Sequence, residues 1–209
     1  AAPAARDCAA CSPAETLRRF LFCAFFWSCQ TIPVTVLMLY SSPILESLTG
    51  PGSAFTGVLL LYACFLAGVL PALHPALARN PKQLLTGTFL AMAVSLAAVA
   101  AAFCAPESAG RLGPLAAGAA FIVFALAYGL QTPLDFVIPN VLLPERARAR
   151  LVGALTTIAR VATMGSALLF PALAERLPLA ILLLAGSAVL LAGAAASHWL
   201  TPGSPASGR

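Results

Sequence analysis

Residues 115–143 read LAAGAAFIVFALAYGLQTPLDFVIPNVLL, residues 144–150 read PERARAR, and residues 151–173 read LVGALTTIARVATMGSALLFPAL. Two long apolar runs are thus separated by one short segment that is rich in arginine. Each run exceeds the roughly 20 residues that an α-helix needs to cross a hydrocarbon core of about 30 Å. The stretch therefore predicts two membrane-spanning helices that run in opposite directions from a basic loop.

Four further apolar runs extend this pattern over the whole chain. The six predicted spans cover residues 20–40, 54–73, 84–105, 115–143, 151–173 and 179–200. Basic residues concentrate at alternate ends and gaps: Arg6, Arg18, Arg19, Arg79, Lys82, Arg146, Arg148, Arg150 and Arg209 on one side, against Arg111 and Arg176 on the other. By the positive-inside rule the richer side is cytoplasmic. The sequence predicts an all-α membrane protein with six transmembrane helices and both termini cytoplasmic.

Composition favours a membrane protein and excludes a water-soluble one. Hydrophobic residues make up 60% of the 209-residue chain and charged residues only 9%, and the mean hydropathy is +0.93. The net charge of +5 comes from cations spread as collars at helix ends, where they can face anionic lipid headgroups. Since they form no basic stripe with interleaved aromatic residues, nucleic acid is not an expected partner. The expected partner is the lipid bilayer, around an integral multi-pass protein.

The segments outside the spans are short. Residues 1–16 are predicted to be the remnant of a cytoplasmic linker, residues 17–200 the transmembrane bundle, and residues 201–209 a cytoplasmic tail. Cys8 and Cys11 have the spacing of half a zinc site, but two further ligands are not close in sequence. We therefore expect no metal and no cofactor. The other cysteines are expected to fill space in the core: Cys23, Cys29, Cys64 and Cys104.

Proline and small residues within the spans predict features of packing. Pro33, Pro133 and Pro139 each remove a backbone donor, so each predicts either a static kink or a break that opens carbonyls to a cavity. Small residues predict close helix packing in the last two spans. They are Gly153, Ala154, Gly165, Ser166 and Ala167 in the fifth span and Ala188, Ala192 and Ala196 in the sixth.

Two ionisable residues fall near the middle of predicted spans. Asp135 lies in the fourth span and Arg160 in the fifth. At the helical rise per residue, both are about 14–15 Å from the basic boundary. Ionised groups at this depth are costly unless they are paired or face water, and by default they mark a functional pathway. We expect Asp135 and Arg160 to meet or to share one aqueous cavity.

Three roles are open for Asp135. It could carry protons, if it separates from Arg160 during gating. It could anchor a cationic or hydroxyl-bearing solute together with Tyr128 and Gln131, which precede it on a similar helix face. It could also form a purely structural clip with Arg160.

The first span adds Trp27 and Gln30 to the candidates. Gln30 lies near mid-depth, where it could hydrogen-bond a solute or simply bond a neighbouring helix. The predicted substrate-binding or coupling residues are Asp135, Arg160, Gln30, Trp27, Tyr128 and Gln131.

Two stretches resemble the C-terminal six-helix half of a major facilitator superfamily transporter. The first span is similar to the seventh helix of sugar-porter-like members, through Gln30, Met38, Tyr40 and Pro43. Residues 129–149 are similar to the tenth helix and the loop that follows it. The matching positions there are Pro133, Phe136, Pro144, Arg146 and Arg148.

Some positions depart from that family's pattern. Residues 78–82 read ARNPK, where the family usually has an acidic residue and a Gly-Arg-Arg core. Thr35 stands where sugar porters have an asparagine, Val141 where they have an acidic residue, and no Pro-Glu-Thr-Lys motif follows the last span. These departures argue against sugar as the substrate class.

The resemblance implies secondary active transport of a small solute, as a symporter or antiporter, by alternating access of two six-helix halves. This chain would supply the C-terminal half. An N-terminal six-helix half, from the same gene product or from a partner chain, would complete the cavity. Pro144, Arg146 and Arg148 would form the cytoplasmic gating loop, and Asp135 could couple transport to protons.

A non-transporting alternative competes with this interpretation. A membrane scaffold or assembly factor could keep the half-transporter fold, with Asp135 and Arg160 serving structure alone. An intramembrane enzyme is not expected, because Ser166, His74 and His198 belong to no nucleophile elbow, paired metal-binding histidines or aspartate pair.

Overall fold

The computed structural model describes residues 12–42, 46, 54–72, 81–104 and 112–199, and the regular structure in these residues is helical. Helices α1 (Pro13–Leu39), α2 (Ala54–Ala72) and α3 (Pro81–Cys104) come first. They are followed by α4 (Leu112–Gln131), α5 (Leu134–Leu142), the 3-10 turn Glu145–Ala147, α6 (Arg148–Ala174) and α7 (Leu179–Trp199). Several sequence predictions lie outside the described residues: the Cys8 and Cys11 pair, Pro43, His74, residues 1–11 of the predicted linker and the tail 201–209.

The prediction of six spans is confirmed. Six helical stretches are long and apolar enough to cross a membrane. Helices α4 and α5 together make the fourth, and the other helices make one each. The basic segment 144–150 folds as an extended Pro144, the 3-10 turn and the first residues of α6.

Helix α1 begins before the apolar run does, at Pro13, within the segment predicted as linker. The Ser12 hydroxyl accepts a hydrogen bond from the backbone N–H of Glu15 (3.2 Å), and Pro13 occupies the first helical turn. Ser12 and Glu15 have the spacing of a capping box, which supplies partners for the first exposed N–H groups. The helix therefore starts at this cap, ahead of the predicted span at residue 20.

Only one of the three highlighted prolines coincides with a break. Helix α1 continues through Pro33, and α5 continues through Pro139. The fourth span is interrupted at Thr132 and Pro133, which form a turn between α4 and α5. Since proline has no N–H, the carbonyl of Gly129 loses its usual helical donor there.

The helices pack in the order α2, α4, α3, α7, α1 and α6, with α3 against α7 as the largest contact. If α1 is exchanged with α4, α2 with α6, and α3 with α7, the packing order reads the same in reverse, so the same pairs of helices are neighbours. The bundle thus has the contact pattern of two three-span units related by an internal two-fold repeat. Because each unit has an odd number of spans, the two units cross in opposite directions.

Helices α2 and α6 are the least buried members of the bundle. Only 11% of the apolar window of each is buried, against 39–50% for the other four spans. Both lie at the ends of the packing order, so most of their surface contacts no other helix in the described residues.

The prediction that Ala188, Ala192 and Ala196 form the packing face of the last span is wrong. Ala188 and Ala192 are exposed, and Ala196 alone of that set is buried. The face that packs carries Gly186 and Gly193 instead. A Cβ at Gly186 would lie 2.9 Å from Cδ2 of Leu96, and one at Gly193 would lie 2.7 Å from Cε1 of Phe89.

The fifth span also departs from its predicted close packing. A Cβ added at Gly153 or at Gly165 would meet no atom within 4 Å. The cysteine prediction holds for two residues, because Cys23 and Cys29 are buried in the core. It is wrong for Cys104, which is exposed.

Helices α2 and α4 approach each other closely through their backbones. A Cβ at Gly129 would overlap the carbonyl oxygen of Phe65 and lie 3.0 Å from Cα of Gly68. A Cβ at Gly68 would overlap the carbonyl oxygen of Leu126. Neighbouring helices that lack Cβ atoms at the crossing can bring their backbones together in this way.

We expect Gly129→Ala to lower the thermal stability of the detergent-solubilised full-length protein. The added methyl must separate two backbones, and overpacking of this kind costs about 1–3 kcal/mol. Gly118→Ala is the matched control on the same helix, where a Cβ meets nothing within 4 Å. Equal melting temperatures for the two variants would contradict the close α2 to α4 crossing.

Candidate functional site

Three polar side chains meet in the apolar core beside the break in the fourth span. Gln30 comes from α1, Gln131 from the last turn of α4 and Asp135 from the first turn of α5. Their exposed fractions are 1%, 0% and 6%. The Nε2 of Gln131 donates a hydrogen bond to the Oε1 of Gln30 (3.2 Å), and the Gln30 side chain also faces the Asp135 carboxyl. We call these three residues the polar cluster.

The polar cluster is incompletely satisfied. Gln30 Nε2, Gln131 Oε1 and Asp135 Oδ1 are buried and have no hydrogen-bond partner among the described residues. The contact between Gln30 and Asp135 therefore lacks the geometry of a hydrogen bond. A buried polar group without a partner typically costs about 1–3 kcal/mol, so three in one place make the polar cluster the candidate functional site.

Aromatic rings flank the polar cluster on two sides. Trp27, one turn before Gln30, meets Phe136 edge to face with ring centroids 5.4 Å apart. Tyr128, one turn before Gln131, stacks on Phe65 of α2 at 4.9 Å. The predicted candidates Gln30, Gln131 and Tyr128 thus lie around Asp135, and Trp27 contacts Phe136, the residue that follows Asp135.

Arg160 lies near the middle of α6 and is exposed. It forms no ion pair in the described part of the chain, where the ion pairs join Glu15 to Arg18 and Arg19. The predicted meeting of Asp135 and Arg160 as a structural clip is therefore not observed. The physical reason is that Asp135 is buried in the core, while Arg160 is exposed on α6.

Arg160 nevertheless faces the same region as the site. Arg160, Asp135 and Tyr62 all lie within electrostatic range of the Tyr128 hydroxyl. Tyr62 is on α2, so the region is bordered by both of the sparsely buried helices. That Asp135 and Arg160 share one aqueous cavity stays a prediction.

The end of α5, just before the predicted gating loop, is tied to the start of α1. Arg19 donates from Nη1 to the carbonyl oxygen of Leu142, the last residue of α5 (3.1 Å), and from Nε to Glu15 Oε1 (3.0 Å). Arg19 thereby supplies a donor to one of the carbonyls left open at a helix end. Within the loop itself, Arg146 is exposed, and the buried Nε of Arg148 has no described partner.

The sequence analysis does not identify three residues that make contacts around the site or at the end of α5: Arg19, Tyr62 and Phe65. In the sequence, Arg19 is only one member of a basic collar. The spacing of Glu15 and Arg19, four residues apart in one helix, was the available signal for an ordered guanidinium. Tyr62 and Phe65 carried no signal, because an aromatic residue in an apolar span is indistinguishable from a lipid-facing one until the helices are packed.

Comparison with known proteins finds similarity to a bacterial protein named for transport. The chain is 27% identical over 176 residues to the Escherichia coli (strain K12) protein named "Putative metabolite transport protein YaaU". The match covers 83% of this chain and 38% of that protein, so the chain spans well under half of the relative's length. No protein-family model matches the chain, and no solved structure matches it.

The chain is an integral, multi-pass membrane protein. Six apolar helices of spanning length and similarity to a protein named for transport support this together.

A double-mutant cycle tests whether the two amides meet. We expect Gln30→Leu and Gln131→Leu each to lower thermal stability, since each leaves one buried amide without its partner, at a cost of about 1–3 kcal/mol. The double variant should lose less than the sum, because both amides are then gone. Gln83→Leu, at an exposed glutamine of α3, is the control. Additive losses in the double variant would mean that the amides do not interact.

Proposed function

We propose that this chain is the C-terminal half of a secondary transporter of the major facilitator type, and that the polar cluster and its aromatic flank bind the transported solute. The observation that carries the proposal is the buried, incompletely satisfied set of Gln30, Gln131 and Asp135 at a helix break within an apolar bundle. In membrane transporters, broken helices near mid-depth supply solute and coupling-ion sites.

The open hydrogen-bonding groups restrict the solute. One donor (Gln30 Nε2) and two acceptors (Gln131 Oε1 and Asp135 Oδ1) lack partners. A solute with hydroxyl or amine groups could satisfy donor and acceptors together, and the rings of Trp27 and Tyr128 could cover its apolar surface. A proton on Asp135 would convert an acceptor into a donor, which is the basis on which we propose proton coupling.

The exposed Arg160 supports the role of this chain as one half of a larger assembly. A guanidinium near the middle of a spanning helix is costly against lipid, and such groups almost always face protein or a water-filled cavity. The sparsely buried α2 and α6 border the same region. We infer that a second six-helix half covers this region, with the solute cavity between the halves.

Two further observations support the transporter type. The contact pattern of two inverted three-span units is the pattern within each half of these transporters. The match to YaaU spans 38% of that protein, which is compatible with a chain that supplies one part of a metabolite transporter. Alternating access would then consist of rocking of this bundle against its partner, with the Arg19 contact to Leu142 holding α5 to α1 as one body.

The decisive experiment is proton-driven flux of a panel of small polar solutes in vesicles that contain the full-length gene product. We expect Asp135→Asn to abolish coupled flux, because asparagine keeps the shape but cannot exchange a proton. Asp135→Glu should retain partial flux. Glu175→Gln, at an exposed carboxylate just after α6, is the matched control and should transport as the wild type does.

If Asp135→Asn left flux and its pH dependence unchanged, neither proton coupling nor solute binding by Asp135 would stand. Absence of flux for the whole panel in a folded wild-type protein would favour a scaffold or assembly factor instead.

Thiol labelling tests the environment of Arg160. In a cysteine-free full-length background, we expect Arg160→Cys to react with a membrane-impermeant thiol reagent, because the position faces an aqueous cavity in at least one transport state. Leu184→Cys, at an exposed position of α7, should stay unlabelled in lipid. If both positions were equally protected from the reagent, and a fluorescent probe at residue 160 were quenched by the bilayer, Arg160 would face lipid. That result would contradict the proposed cavity.

A further inference from the structure

An apolar groove runs along the face of α1 that points away from the polar cluster. It encloses about 500 Å³ where α1 meets α6, within the range of about 300–1,000 Å³ that is common for ligand pockets. Its lining includes Arg18, Leu21, Ala24, Phe25, Ser28 and Ile158. Gln30 and Trp27 lie on the opposite, buried face of the helix, so the groove is separate from the candidate solute site.

The groove has the depth of one membrane leaflet. Arg18 lies at its basic end, just before the predicted span 20–40, and Ser28 lies at its inner end. Ten residues of α-helix rise about 15 Å, which is half of a hydrocarbon core of about 30 Å. The groove therefore reaches from the membrane boundary to the midplane.

The guanidinium of Arg18 is available at the mouth of the groove. Its side chain is 60% exposed, and its contact with Glu15 is long (Nε to Oε2, 3.9 Å). Arg19 makes the shorter contact with the same carboxylate (3.0 Å). An arginine fork is well suited to a phosphate group, which it can bind through two parallel hydrogen bonds.

We propose that this groove binds an anionic phospholipid, with one acyl chain along α1 and the headgroup phosphate on Arg18. Between Arg18 and Ser28 the lining is apolar, which favours an acyl chain over a polar ligand, and the leaflet depth matches an acyl chain. A basic group at the boundary favours an anionic headgroup over a zwitterionic one. The lipid would contact α1 and α6 together, and α6 is the helix that follows the predicted gating loop.

The test uses the purified full-length protein, stripped of lipid in detergent, and native mass spectrometry of bound lipid. The probes are dioleoyl phosphatidylglycerol and dioleoyl phosphatidylcholine, which share acyl chains and differ in charge. We expect the wild type to bind phosphatidylglycerol more tightly, and Arg18→Gln to weaken that binding about fivefold while leaving phosphatidylcholine unchanged. Arg150→Gln, an exposed arginine at the same boundary, is the matched control and should bind as the wild type does.

Two variants test the acyl chain separately from the headgroup. Ala24→Phe fills the groove and Ser28→Leu shortens its inner end, so both should weaken the two lipids alike. Using both variants protects the test against misfolding of either one. Unchanged lipid binding in a folded Ala24→Phe protein, or equal affinity for the two lipids in the wild type, would overturn the proposal.

Two controls exclude other occupants. We expect phosphatidylglycerol to raise the melting temperature of the protein, and inorganic phosphate alone not to raise it. If phosphate raises it equally, the site binds a free anion and not a lipid. A photo-crosslinking phenylalanine analogue at Phe25 should capture lipid in membranes. Crosslinks to the N-terminal half instead of lipid would mean that protein covers the groove.

Discussion

Water is excluded from a hydrocarbon core, so the polar groups of a membrane protein must find partners within the protein, and the organisation of this bundle follows from that constraint. Helices α1 to α7 meet it through their own backbone hydrogen bonds. Between α4 and α5, at the step from Thr132 to Pro133, the helix of the fourth span stops and restarts. The polar cluster lies beside that step, and its amides satisfy each other only in part. The interrupted backbone hydrogen bonding and the side-chain atoms without partners thus lie at the same place.

Small residues determine how the helices reach that arrangement. Gly68 and Gly129 allow α2 and α4 to touch through their backbones, and Gly186 and Gly193 allow α7 to lie against α3 and α1. In lipid, helix association depends on such packing rather than on hydrophobic burial, since lipid tails are as apolar as leucine. The glycines of α6 have no comparable neighbours, which agrees with the small buried share of that helix.

Charge is distributed according to the same constraint. Arg18 and Arg19 are adjacent in sequence but serve different surfaces, because consecutive residues of a helix point about 100° apart. Arg19 reaches across to the end of α5, whereas Arg18 points to the outer groove. Arg160 and Asp135 are similarly separated: the sequence predicts comparable depth, but Arg160 is exposed on α6 and Asp135 is buried in the core. Depth along a helix is therefore not enough to predict an ion pair.

The sequence by itself determined the class of the protein, the number of spans, the basic boundary and most of the polar residues of the site. An apolar run of spanning length is stable in lipid as a helix. A carboxylate or amide within such a run stands out in the sequence. The tertiary structure alone decided which residues meet. It brought Gln30 to Gln131 and Asp135, separated Asp135 from Arg160, put Gly186 and Gly193 rather than Ala188 and Ala192 at the α7 interface, and gave the helices their symmetric packing order. Rotation of each helix about its axis is the physical reason, because it is fixed by contacts between helices that are far apart in sequence and carries almost no signal in a run of uniformly apolar residues.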